Sequence, residues 1–349
     1  MPKVSRKAVT LSTLARELGL STATVSYVVN GQVRQQKISP ATAERVLRAA
    51  AEAGYVPNRL AHGLHIRRSG VVGVIVENFR HGWADRVLEG LQEVLDQYSF
   101  TVFSALHRGD NKREQREVQS LLERRADAIL TFPLPGSRSL YERIVRHGPP
   151  LLFLGDAFED FPQVSYVAWD ASAGVRRAVE HLAGGGRKKI GYLAVRRDSI
   201  VHRERHDAFH EALREHDLPV NPAWIGEGKA ESQAGLQPLV QRLIRRMFEQ
   251  SRDRPDALIV ASDLMALHAL ALLRYIGLRV PEDVAVIGMG DSTSGGLPGI
   301  ELTTISEPCE EIGRVAGELA LHLIEDKQAR PMVRFVPGDR LVVRRTTAG

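Results

Sequence analysis

Val9-Thr10-Leu11-Ser12-Thr13-Leu14-Ala15-Arg16-Glu17-Leu18-Gly19-Leu20-Ser21-Thr22-Ala23-Thr24-Val25-Ser26-Tyr27-Val28-Val29-Asn30-Gly31 reads as two short helices joined by a tight glycine turn. Thr10 is placed to cap the first helix, whose Leu14, Ala15 and Leu18 share one side, and Gly19 ends it. Ser21 caps a second helix running to Val29 after a link of only two or three residues. So short a link between helices with small inward faces is the helix-turn-helix pattern. In the second helix Val25, Val28 and Val29 face the first. Thr22, Ala23, Ser26 and Tyr27 form an uncharged outer face with side chains short enough to approach a surface closely. Asn30-Gly31 stops the helix. Ser39-Pro40 starts a third, with proline at the first helical position and Val46, Leu47 and Ala50 as its buried stripe before Gly54.

The charge pattern supports a nucleic-acid contact for this head. The 349 residues carry a formal charge of +5, with 47 Lys and Arg against 42 Asp and Glu. Residues 1–69 hold eleven Lys or Arg against three acids, a net +8, which leaves −3 for the other 280 residues. A basic small segment on a mildly acidic large one is the charge footprint of a polyanion-binding head on a body with another task. A composition of 43% hydrophobic and 26% charged residues is globular. The lone Cys309 offers neither a disulfide nor a cysteine zinc site, which fits a reducing cytoplasm. No apolar run reaches a membrane-spanning length, and the polar residues after Thr10 do not form a signal-peptide core.

Pro57 to Arg68 is weakly helix-compatible, and a helix of about eight residues containing glycine is not expected to persist alone in water. From Val71 on, short apolar runs alternate with amphipathic stretches, as in βαβ units of a parallel sheet covered on both faces. Strands are expected at Val71–Val76, Thr101–Ala105, Ala128–Phe132, Leu151–Leu154, Lys189–Ala194, Ala257–Val260 and Val284–Ile287. Helices are expected at Ala84–Tyr98, Lys112–Arg124, Ala173–Leu182, Val201–His216, Ser232–Glu249 and Asp263–Ile276. That many units favour two similar α/β lobes with a cleft between them, ligands sitting at the carboxyl ends of the strands.

The chain resembles the lactose/galactose repressor (LacI/GalR) family of bacterial transcription regulators from about Val9 to Thr346. The head is similar to that family's V-T-L-x-x-V-A-x-x-A-G-V-S-x-x-T-V-S-R-V-L-N-G stretch. Gly54-Tyr55-Val56-Pro57-Asn58-Arg59-Leu60-Ala61, ending in Leu64, is similar to its hinge. Asp263-Leu264-Met265-Ala266, Gly277-Leu278-Arg279-Val280-Pro281-Glu282-Asp283-Val284, and Leu302-Thr303-Thr304-Ile305 followed by Pro308 match its body. The resemblance implies a helix-turn-helix domain at 1–56, a hinge at 57–69, and a two-lobed periplasmic-binding-protein-like body at 70–349. Its two doubly wound parallel-sheet lobes would span about 70–183 plus 307–336, and about 184–306 plus 337–349. It further implies a homodimer on a near-palindromic DNA operator, most simply a repressor, with a small sugar-like effector in the cleft. The absence of a heptad tail after Val342 favours a dimer over a tetramer.

Residue by residue, a recognition helix presents its N-terminal residues to base edges, which nominates Thr22 and Ala23, with Ser26 and Tyr27 one turn on. Tyr27 stands where the family often has arginine, and a phenol cannot make the bidentate guanine contact. Ser21, Thr24 and Asn30 suit phosphate oxygens, and Ser21 and Asn30 serve equally as helix caps. The connection after Gly31 is about three residues longer than the family usually carries, and its Arg34 and Lys37 are candidates for phosphates or for a solvated turn. Asn58, Ala61 and Leu64 fall on the hinge motif, where Leu64 aligns with the leucine that wedges into the minor groove; packing in a core is its alternative.

In the body, His81 and Trp83 follow the first strand and have the chemistry to bind a ligand or to pack. Arg205 aligns with the family's effector-contacting arginine, and Ser262, Asp263 and Asp291 fall on ligand-contacting motifs. The family's later aromatic is here Ala230, and an aspartate of its G-Y-D-D motif is Gly290. Arg80, His81, His107, Arg108, Arg196, Arg197, His202, Arg203 and Arg205 crowd the strand-end loops, which raises an anionic effector such as a sugar acid or sugar phosphate beside a neutral sugar. No dinucleotide, P-loop, nucleophile-elbow or H-E-x-x-H fingerprint occurs. No enzyme activity, no cofactor and no metal are expected, His202 and His206 lacking an obvious third ligand. A solute-binding protein, which shares the two-lobed architecture, is the runner-up.

Overall fold

The computed structural model describes residues 9–29, 31, 33–55, 68–79, 82–195, 199–229 and 235–348. It divides into two compact units, 1–69 and 70–349. Among the described residues no helix is long and apolar enough to cross a membrane.

The head is three helices, α1 (Leu11–Leu18), α2 (Thr22–Val29) and α3 (Pro40–Glu52). Local chemistry sets each boundary. Thr10 and Thr13 form a reciprocal capping box, and Gly19 closes α1 in the left-handed conformation at φ 65°. The Ser39 side chain accepts the Thr42 N–H at the start of α3, with Pro40 at the first position. Leu14, Ala15, Val25, Val28, Ala43, Val46 and Ala50 form the head's core. Leu47, expected in that core, is 52% exposed. The stripe on α3 runs through Ala43, Val46 and Ala50 at helical spacing, and a residue immediately after Val46 is rotated off it.

The body holds two six-stranded sheets. The first has the order β11-β5-β4-β3-β1-β2, from β1 (Val71–Val76), β2 (Thr101–Leu106), β3 (Ala128–Thr131), β4 (Leu151–Leu154), β5 (Ser165–Asp170) and β11 (Val333–Pro337). The second has the order β12-β10-β9-β8-β6-β7, from β6 (Ile190–Val195), β7 (Ile225–Gly228), β8 (Ala257–Val260), β9 (Ala285–Met289), β10 (Thr303–Ile305) and β12 (Leu341–Val342). Pairing is parallel throughout except between β10 and β12. The helices are α4 (Trp83–Gln97), α5 (Asn111–Glu123), α6 (Arg138–His147), α7 (Ser172–Gly184), α8 (Ile200–Glu215), α9 (Leu236–Phe248), α10 (Asp263–Tyr275) and α11 (Cys309–Glu325). The mixed α/β architecture with an all-α head is therefore the one expected.

Strands β5, β7, β10, β11 and β12 and helices α6 and α11 were not among the expected elements. β10 and β12 are too short to show a period, and β7 carries Gly226 and Gly228 in four residues. The lobe boundary also moves. Helix α7 packs on α8, β10 and β12, and Gly174 lies against Ile305, so α7 belongs with the second sheet. The chain leaves the first lobe near Ala171 and not near residue 183.

Helices α4 and α11 meet backbone to backbone. A Cβ added at Gly90 would lie 1.9 Å from the Glu310 carbonyl oxygen, and one at Gly313 would lie 2.0 Å from that of Val87. Gly317, one turn on, faces Val94. Only glycine permits this approach. In the same lobe, buried Glu114 accepts from the Thr131 hydroxyl at 2.9 Å and the Tyr141 hydroxyl at 2.8 Å, while its Oε2 has no partner. Burial raises its pKa, with those hydrogen bonds opposing.

Two expectations follow from these contacts. Gly313→Ala forces α4 and α11 apart and costs about 1–3 kcal/mol, read as a lowered thermal midpoint of the full chain. For Glu114, a pKa raised in the folded state means that its contribution to stability is complete below the unfolded carboxylate value and is lost as pH rises through the folded value. Glu114→Gln keeps an acceptor for both hydroxyls and cannot ionise. It raises the denaturation midpoint at pH 8 relative to the parent and does so much less at pH 4; an equal shift at both pH values contradicts this reading.

Candidate functional site

Two surfaces carry the chemistry, one on each unit. On the head, Thr22, Ala23 and Tyr27 are exposed on α2 and Ser26 is half-buried, while Val25 and Val28 turn inward. The Ser21 hydroxyl accepts the Thr24 N–H at 3.0 Å and lies 2.8 Å from the Thr24 hydroxyl, so it caps the helix. Arg34 and Lys37 are exposed. Among the described residues, the head's one ion pair is Arg48–Glu44, on α3. The sequence therefore assembles an uncharged helix face bordered by cations. Asn30, Asn58, Ala61 and Leu64 lie outside the described residues.

The body's candidate site is the seam between the two lobes, at the carboxyl ends of both sheets. Trp83 opens α4; its indole N–H donates to Glu307 Oε1 at 2.7 Å and its ring meets Phe132 edge-on. Arg205 reaches from α8 over the Trp169 ring of β5, its guanidinium carbon 4.9 Å from the ring centroid. Its Nε is buried with no hydrogen-bond partner. A buried guanidinium N–H left unbonded is costly, and a ligand oxygen is the kind of acceptor it lacks. Burial raises the pKa of Glu307, with Arg205, the Trp83 N–H and Arg86 drawing it back. One carboxylate and one guanidinium thus face the same seam.

Arg86, also on α4, ties the lobes together. It forms a bidentate pair with Glu310 at 2.8 and 2.9 Å, donates to the Glu307 carbonyl at 3.2 Å and reaches the Gly290 carbonyl beyond β9 at 3.4 Å. Glu310 holds the guanidinium protonated and is itself drawn below the ordinary carboxylate range by it.

The other expected cleft residues are engaged in the scaffold. The Ser262 hydroxyl caps α10 by accepting the Met265 N–H at 3.3 Å. Asp263 is 3% exposed and accepts from the Thr304 hydroxyl and the Ser292 N–H, both at 2.6 Å; burial raises its pKa. Asp291 pairs with Arg344 at 2.7 Å. His81, Arg80, Arg196 and Arg197 lie outside the described residues. Of the remaining strand-end cations, His107 is fully buried between the Phe132 carbonyl and the Gly109 N–H, Arg203 pairs with Glu159, and His202 lies 3.3 Å from Glu227. Among the described residues no group of three or more His, Cys, Asp or Glu is arranged to hold a metal. Sequence reasoning missed Glu307, Trp169 and Arg86. Glu307 left one usable signal, a charged residue two positions after the run Leu302-Thr303-Thr304-Ile305 that ends with β10.

Comparison with known proteins matches the chain to two domain families. Residues 10–58 match the model for bacterial regulatory proteins of the lacI family, and residues 179–347 match the periplasmic binding protein-like domain. The HTH-type transcriptional regulator CelR of Thermobifida fusca is 32% identical over 345 residues, covering 97% of this chain and 98% of that protein. The HTH-type transcriptional repressor PurR of Aliivibrio salmonicida (strain LFI1238) is 28% identical over 318 residues, covering 91% and 93%. A crystal structure of the lac repressor dimer bound to operator and the anti-inducer ONPF superposes with a TM-score of 0.80 at 27% identity, covering 98% of this chain and all of that one. A CelR–cellobiose complex superposes with a TM-score of 0.70 at 29% identity, covering 97% and 99%. With a helix-turn-helix head, a two-lobed binding-protein-like body and a relative this similar along nearly its full length, the chain belongs to the LacI family of bacterial transcription regulators.

Proposed function

We propose that the protein is a cytoplasmic transcriptional repressor with no enzymatic step, binding a near-palindromic operator as a homodimer and releasing or engaging it under control of a small effector in the lobe seam. The observation that carries this reading is the pairing of two features in one chain. An uncharged, exposed face on a capped α2 is bordered by cations, and an unbonded Arg205 N–H lies between the lobes. Thr22, Ala23, Ser26 and Tyr27 are assigned to base edges. Ser21, Thr24, Asn30, Arg34 and Lys37 are assigned to phosphates, and Asn58, Ala61 and Leu64 to the minor groove at the operator centre. A two-fold dimer matches a two-fold operator.

The effector is a sugar, sugar acid or sugar phosphate. Arg205 suits a carboxylate, a phosphate or a hydroxyl oxygen, Glu307 accepts a hydrogen bond from a hydroxyl, and Trp83 supplies an apolar wall. His81, Ser262, Asp263 and Asp291 complete the assigned set, the last three through the loops they brace. The lac repressor structure holds an operator and the anti-inducer ONPF, the CelR structure holds cellobiose, and both superpose on nearly the whole chain.

In a mobility-shift assay the full chain retards a palindromic duplex from near its own promoter and is not displaced by unrelated DNA. For about six to ten phosphate contacts its affinity falls roughly 10³–10⁵-fold between ~50 and ~200 mM salt. Absence of any sequence preference is the outcome expected of a solute-binding protein and overturns the reading. Arg205→Ala abolishes the response to effector and leaves DNA affinity unchanged. Calorimetry of parent and variant with a neutral sugar, its acid and its phosphate identifies the class, because an acid or phosphate loses more affinity than a neutral sugar when the guanidinium is removed.

A further inference from the structure

The segment that follows α2 is more ordered in design than a solvated loop. The Ile38 N–H donates to the Val33 carbonyl at 3.0 Å and the Lys37 N–H to the Arg34 carbonyl at 3.3 Å. Lys37 sits in the left-handed region at φ 51°. Those two nested bonds with a left-handed residue are the Schellman pattern that ends a helical turn. Its usual apolar clasp is present too, because Val33 and Ile38 both pack on the head's core. The turn is thus pinned at both ends, and Arg34, Gln35, Gln36 and Lys37 stand exposed between the pins. Lysine at the left-handed position costs roughly 1 kcal/mol that glycine would avoid. The fold tolerates that strain at a residue whose side chain points to solvent and, among the described residues, pairs with no acid.

The position of the turn gives those four side chains a target. Helix α2 is eight residues long, a rise of about 12 Å, which is about the width of the major groove. Helix α2 ends at Val29 and the turn opens at Val33, four residues on, so when the N-terminal residues of α2 meet base edges the turn stays within chain reach of the neighbouring backbone and base pairs. Arginine and lysine suit that backbone, whereas a glutamine amide offers the donor and acceptor that match an adenine edge. We propose that the Val33–Ile38 turn is a second DNA-reading element. Gln35 and Gln36 contact base pairs flanking those under α2, and Arg34 and Lys37 hold the turn to phosphates, so each operator half-site is longer than the recognition helix alone reads. The proposal rests on the DNA-binding reading above.

The test selects duplexes from a random library with the full chain, with Gln35→Ala/Gln36→Ala, with Arg34→Ala/Lys37→Ala and with Lys37→Gly. Failure of the parent to enrich any sequence overturns the underlying reading itself. If the parent enriches a core, base preference at the flanking positions is expected as well, worth about 5–150-fold per bidentate contact. That preference is lost in the double glutamine variant while the core motif is kept. The Arg34/Lys37 variant weakens binding to all duplexes alike and lowers the salt slope by roughly 1.8 per head. Lys37→Gly, which relieves the strain and keeps the turn, retains the flanking preference. A parent without flanking preference, or a glutamine variant that keeps it, overturns the proposal.

Discussion

The seam between the lobes depends on one close contact, the approach of α4 to α11 across Gly90 and Gly313. Trp83 and Arg86 sit on the first turn of α4, and Glu307 and Glu310 flank the start of α11. Bringing the two backbones together therefore sets the distance between the indole N–H and the Glu307 carboxylate, and between Arg86 and Glu310. A side chain at either glycine would displace each of these contacts. The site is positioned by steric permission first and by charge second.

Charge then works across the seam. Arg86 leans from the first lobe toward a carbonyl of the second, and Arg205 leans from the second onto an aromatic ring of the first. Each spans the two sheets with interactions that are sensitive to small displacements: one long hydrogen bond at 3.4 Å and one cation–π contact. Arg205 keeps one buried N–H, its Nε, without an acceptor. Under the proposed reading, binding energy at such a point would bias how the lobes sit against each other, which is the differential interaction any allosteric effector requires.

Legibility in the sequence followed the range of each interaction. The head was readable almost to the residue, because Thr10, Ser21, Ser39 and Gly19 act within their own turns. Leu47 was misplaced because a run of apolar residues on α3 does not by itself reveal which of two neighbours faces inward. In the body the long apolar strands were legible and the short ones were not. The seam was the least legible part. Arg205 was found through family resemblance, whereas Glu307, Trp169 and Arg86 matter through contacts with residues more than 30 positions away, and Asp263 and Asp291 spend their charge on Thr304, Ser292 and Arg344. The cationic cluster likewise thinned once His107, Arg203 and His202 acquired partners.

The order of strands in the two sheets bears on how the protein is made. The head is one contiguous stretch, so it is complete while most of the chain is still unsynthesised. Neither body sheet is complete until the last residues emerge: β11 closes the first and β12 the second, and α11 must arrive before α4 has its partner. A ribosome paused late in the message would thus carry a finished DNA-binding module tethered to an unfinished regulatory one.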